Sequence, residues 1–330
     1  MQGDLMPRLY VATVGDGLFR SDDLGSSWTK EPGLAASARL YSLCAASGEL
    51  LVGGEGRIFR YGERAWTELA LPVPDTQVWS LAAMDGVILA GTRPLGLFRS
   101  DDGGRRWESL SFALPMSGEP QPEARRADMG IPRAERGTPQ PHTPRITALL
   151  PSPWAAGEVW AGVEVGGVFA SADGGRSWSA ANEEIPSLDV HGLAWSSGGI
   201  LLAATPRGVA MWRSARWMEG LFEPADRYCR ALATRPDDPG MLYCGFGDGP
   251  PGTRGEIALS TDGGRSWRAS GMLSDTDSTI WSVATAADAA GLVLACSISG
   301  KVFVSLDGCA SARPVLTTGF ETRAVACLAE

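Results

Sequence analysis

The chain has 330 residues, 44% of them hydrophobic, enough for a large core, and a formal net charge of −9 with a pI near 4.9 argues against general binding to nucleic acid or to an anionic membrane surface. No apolar run reaches the roughly 18 residues that a bilayer span needs, and residues 1–15 lack a basic segment followed by an apolar one, so no membrane segment and no secretory signal is expected. Cys44, Cys229, Cys244, Cys296, Cys309 and Cys327 show no Cys-x-x-Cys spacing, which predicts reduced core thiols in a cytoplasmic chain with no metal and no cofactor.

Short strand-like segments then follow one another. Residues 9–14 and 17–21 lead into Ser21-x-Asp23-x-Gly25-x-x-Trp28, and a further strand follows from residue 27. The second unit has four strands, which we term A to D: A near 41–45, B at 50–52, C at 57–60 and D at 66–69, with the C-to-D turn contracted to residues 61–64. A third unit starts near residue 78 and closes with Ser100-x-Asp102-x-Gly104-x-x-Trp107. Residues 112–144 are rich in proline and have no period of two or 3.6, which predicts a long loop or a disordered insertion. A fourth unit resumes near 145 and carries Ser171, Asp173, Gly175 and Trp178. The fifth starts near 190 and ends at Trp217 after another contracted turn; the sixth, from about 228, carries Ser260, Asp262, Gly264 and Trp267. The seventh starts near 280 and contains a worn copy in which Cys309 stands in the Gly position and Ala312 in that of Trp.

The recurring Ser-x-Asp-x-Gly-x-x-Trp has the chemistry of a hairpin turn. Ser and Asp side chains bond the turn backbone, Gly supplies a positive φ, and Trp buries a large surface at the start of strand D. Residues 322–327 have the A pattern with no B, C or D behind them, while the first unit lacks an A strand. The expected fold is therefore all-β: a seven-bladed β-propeller of four-stranded blades, one domain over residues 1–330. Residues 322–330 would complete the blade formed by 8–31 and close the ring.

The turn resembles the Asp-box (BNR) repeat of sialidases, xyloglucanases, sortilin-type receptors and photosystem assembly factors of the Ycf48 type. That resemblance implies that the boxes are structural and lie far from any catalytic residue. The sialidase likeness would cast Arg93, Arg230 and Arg323 as a carboxylate-binding triad and Tyr41 with Glu164 as nucleophile and helper. The early Phe/Tyr-Arg-Ile-Pro motif of sialidases is missing, its nearest match being Arg145-Ile146-Thr147, and a xyloglucanase would have two propellers. The Ycf48 likeness implies instead a non-catalytic protein that docks a protein partner through an arginine-rich patch.

Aligning the A strands brings one residue per blade to the axial mouth: Tyr41, Trp79, Thr147, His191, Arg230, Trp281 and Arg323, with Arg145 and Tyr228 two positions upstream. The B-to-C loops add Asp16, Glu55, Arg93, Glu164, Arg207, Asp248 and Arg254 on the same face, as does the 112–144 insertion, in the role of a lid, a tether or a docking segment. Aromatic walls with convergent arginines suit an acidic or sugar-like small molecule. The ligand-binding set is then Tyr41, Trp79, Arg93, Arg145, Arg230, Trp281 and Arg323. His191, Glu164 and Tyr41 are the catalytic candidates for a hydrolase or a lyase. The competing expectation is that the aromatics pack between blades while Arg and Glu neutralise each other.

Overall fold

In the strand Arg8–Thr13, Leu9 and Val11 face one way and Tyr10 and Ala12 the other, and all four are buried. A strand with two buried faces must be sandwiched, because side chains alternate across the sheet. Leu9 and Val11 pack on Leu294 and Val302, whereas Tyr10 and Ala12 pack on Leu50 and Val52. The same two-sided burial recurs around the molecule.

The computed structural model describes residues 6–46, 48–63, 65–110, 143–273 and 276–329. These form seven antiparallel sheets arranged as a ring, a seven-bladed β-propeller, with a hydrophobic cluster at each of the seven junctions between neighbouring blades. The A strands are Thr322–Leu328, Ser42–Ala46, Gln77–Met84, Arg145–Pro151, Gly192–Ser196, Tyr228–Arg235 and Ile280–Thr285. Adjacent A strands pack on each other around the axis. No helix among the described residues is long and apolar enough to cross a membrane.

Closure is as the sequence leads one to expect. The last strand pairs antiparallel with Arg8–Thr13, in register from Arg8 opposite Leu328 to Ala12 opposite Ala324. Each chain end thereby covers the edge that the other would expose.

One blade differs from the expected four strands. Leu221–Phe222, in the connection into the sixth blade, adds a fifth strand parallel to Ser266–Ala269. Phe222 is 1% exposed in the cluster beneath Trp267, and this burial holds the connection against the sheet. The Pro-rich insertion expected at 112–144 lies, up to residue 142, outside the described residues.

The Ser-x-Asp-x-Gly turns close the C-to-D hairpins at the end opposite the A-strand starts. In one, Ser171 Oγ donates to Asp173 (2.8 Å), Asp173 accepts from the N–H groups of Arg176 and Ser177 (both 2.9 Å), and Trp178 Nε1 donates to the Gly175 carbonyl (2.8 Å). Gly175 has φ +85°, a region that side chains with a Cβ rarely enter. The worn copy keeps this geometry: Cys309 adopts φ +72° and its N–H still donates to Ser305 Oγ at 2.9 Å. These carboxylates are engaged in their own turns.

Candidate functional site at the axial mouth

The A strands do not simply begin at the mouth; most of them bulge there. Val78 pairs with Thr92 and Ser80 with Gly91, so Trp79 has no partner across the sheet. Thr147, Arg230, Trp281 and Arg323 are skipped in the same way. A bulge adds one residue, bends the strand and re-aims that side chain. Five mouth residues are thus turned out of the sheet into a common cavity of about 220 Å³, which also takes Tyr41 and His191 from just before their strands. Two positions deeper, Leu81, Leu149, Leu193, Val283 and their equivalents form an aliphatic floor.

Two of the seven mouth residues are occupied by blade-to-blade bonding. Where the next residue is Ser, its hydroxyl reaches the following blade: Ser42 to the Val78 carbonyl and Ser80 to the Ile146 carbonyl, both at 2.8 Å. Where that residue is Ala148 or Gly192, the mouth side chain takes over. Thr147 donates to the Val190 carbonyl at 2.6 Å, and His191 Nδ1 to the Cys229 carbonyl at 2.7 Å. The His191 side chain has no exposed surface; its Nε2 lies 3.2 Å from Asp189 Oδ1, and its ring lies 4.7 Å from that of Tyr228. Burial raises the Tyr228 phenol to about 12.

Four of the remaining mouth residues, Trp79, Arg230, Trp281 and Arg323, form a continuous stack with Arg145, which does not itself line the cavity. Arg145 lies 3.9 Å from the centroid of Trp79; Arg323 lies 4.7 Å from Trp79 and 4.8 Å from Trp281; Arg230 lies 4.0 Å from Trp281. Three guanidinium groups alternate with two indole faces, each within cation–π range. Carboxylates balance only part of this charge. Arg145 pairs with Glu164, and Arg323 with Glu321. Arg230 is 5% exposed, has no ion pair among the described residues, and its Nη1 is buried without an acceptor. Burial, followed by the like charges of neighbouring arginines, makes Arg323 a weaker base than an ordinary guanidine; burial acts in the same direction on Arg145.

Tyr41 stacks on Trp79 at 6.0 Å and donates from its hydroxyl to Glu55 at 2.8 Å, and Arg39 also bonds Glu55. Burial and the Glu55 hydrogen bond raise the Tyr41 phenol. Arg93 stands near Arg145 and Arg323 without lining the cavity. Of the expected loop ring, Glu55 and Glu164 reach mouth residues. Asp16 bonds Lys30, Arg207 reaches the Pro186 carbonyl, Asp248 caps Thr253 and Arg254 pairs with Asp226, all away from the cavity lining. Sequence reasoning missed Glu321, which lies two residues before a mouth position, and Asp189, which stands likewise before His191.

Fold and site together define a propeller with a buried arginine–tryptophan stack across its axial mouth. No family model and no curated protein matches the chain. Solved structures do. A Ycf48 bound to a D1 peptide is similar with TM-score 0.53 at 17% identity, over 84% of this chain and 81% of that one. Ycf48 from Cyanidioschyzon merolae gives 0.57 at 15%, over 83% and 84%. An ancestral GH74 enzyme gives 0.53 at 15%, over 92% of this chain and 52% of that one. At these identities the likeness shows the fold alone.

Proposed function

We propose that the protein binds a small anionic organic molecule in the axial cavity. The observation that carries this reading is Arg230: a buried, cavity-lining arginine 4.0 Å from the Trp281 ring centroid, whose Nη1 has no acceptor among the described residues. Leaving a buried charged donor unsatisfied is expensive, and an oxyanion supplies the missing acceptor. Trp79 and Trp281 line the cavity wall, and the aliphatic floor accommodates an apolar body. The cavity of about 220 Å³ suits a metabolite-sized ligand.

Binding is better supported than catalysis. His191 is sealed from solvent with Nδ1 committed to a carbonyl, Glu164 is paired with Arg145, and the Tyr41 hydroxyl is committed to Glu55. A hydrolase or lyase step would have to free one of them. Docking of a flat protein surface, the reading suggested by the peptide-bound Ycf48, is less well supported because Arg230 and Arg323 lie inside the cavity. The test is calorimetric titration with a panel of acidic metabolites and neutral sugars against wild type and Arg230→Ala. Acid binding that Arg230→Ala abolishes supports the reading; acid binding that survives the substitution contradicts it.

A further inference from the structure

Resting on that reading, we infer that the cavity selects a ligand group carrying a single negative charge, and that Glu321 sets this selectivity by neutralising Arg323. Three guanidinium groups in one stack would ordinarily suit a dianion such as a phosphate monoester. Here Glu164 holds Arg145 and Glu321 holds Arg323, so among the described residues Arg230 is the member of the stack without a carboxylate partner. Beside the stack, Arg93 stands near Arg145 and Arg323, and Asp189 lies 3.2 Å from His191 Nε2. A monoanion at Arg230 balances the three guanidinium groups of the stack. A dianion leaves one negative charge in a desolvated cavity without a partner, which the low dielectric there penalises.

Glu321 differs from Glu164 in one useful respect. Its side chain is 39% exposed while that of Arg323 is 16% exposed, so the carboxylate reaches inward from the rim and can be changed without opening a core. Replacing it with Gln frees a second guanidinium next to the first, with Trp281 between them.

Phenyl sulfate and phenyl phosphate separate charge from shape. Both present an aryl body and a tetrahedral oxyanion, but above about pH 7 the phosphate is mainly the dianion. In calorimetric titrations near pH 8, wild type is expected to prefer phenyl sulfate. Glu321→Gln is expected to gain about tenfold in affinity for phenyl phosphate, the order of one added charge-assisted hydrogen bond, with little change for phenyl sulfate. An equal or greater wild-type affinity for phenyl phosphate overturns the inference without any variant. So does an unchanged preference in a Glu321→Gln protein that melts like wild type. In either case binding itself stands; if neither compound nor any other organic anion binds wild type, the anion-binding reading falls and the inference with it.

Discussion

The Arg230 guanidinium lies 4.0 Å from the centroid of Trp281, and among the described residues no carboxylate pairs with it. A buried cation held only by a π face weakens the fold that contains it. Arg230→Met keeps most of the stem and removes the charge. It is expected to raise the melting temperature by about 1–2 °C, corresponding to ~1 kcal/mol in a domain of this size, while abolishing anion binding. Calorimetric melts of both proteins check this; a lower melting temperature would make Arg230 a packing residue instead.

Trp281 touches two arginines of the stack, Arg230 and Arg323. Trp281→Leu retains apolar bulk but removes both cation–π contacts, each of order 0.5–2 kcal/mol. Anion affinity should fall about tenfold through misplacement of Arg230, and titration calorimetry reads it directly. Tyr41→Phe, which deletes only the hydroxyl that donates to Glu55, should change affinity far less.

The turn carboxylates give stability an acid limit. Bonds from the Ser27 hydroxyl and N–H hold Asp23 down to about 2, and bonds from Ser311 do the same for Asp307. Because the folded pKa lies below the ordinary 3.8, this contribution is complete above that value and is lost as pH falls through about 2. Melting temperature followed from pH 5 to pH 2 should drop across that window, and Asp307→Asn should flatten part of the drop.

Gly264 sits at φ +91° with Leu202 against it; a Cβ there would come within 2.8 Å of Leu202 Cδ1. Gly264→Ala is expected to cost about 1–3 kcal/mol, measured by urea unfolding, without affecting ligand affinity at the opposite end of the blades.

The blade register was readable from the chain because its determinants are local: a four-point turn and a period-two strand pattern repeat, and residues 322–327 are an A strand with nothing behind them. The mouth residues followed from alignment of those strands. Their individual roles did not. Thr147 and His191 are tied to the next blade where Ala148 and Gly192 cannot supply the hydroxyl that Ser80 supplies after Trp79, and only the blade-to-blade distances turn that difference into a bond. The bulges that turn out Trp79, Thr147, Arg230, Trp281 and Arg323 have no local signature, since they arise from pairing with strand B. The balance of charge was illegible for a similar reason: Arg230 and Arg323 read alike in sequence, and only Glu321 distinguishes them. The fifth strand at Leu221–Phe222, two residues long and parallel, carries too little pattern to be anticipated.

The most direct measurement is a crystal structure of the protein grown with the tightest organic acid from the calorimetric panel. The expected result is density in the axial cavity, with an acid oxygen accepting from the Arg230 guanidinium and the body of the ligand over the floor formed by Leu81, Leu149, Leu193 and Val283. Ligand density on another surface, with the cavity around Arg230 holding only solvent, would contradict it.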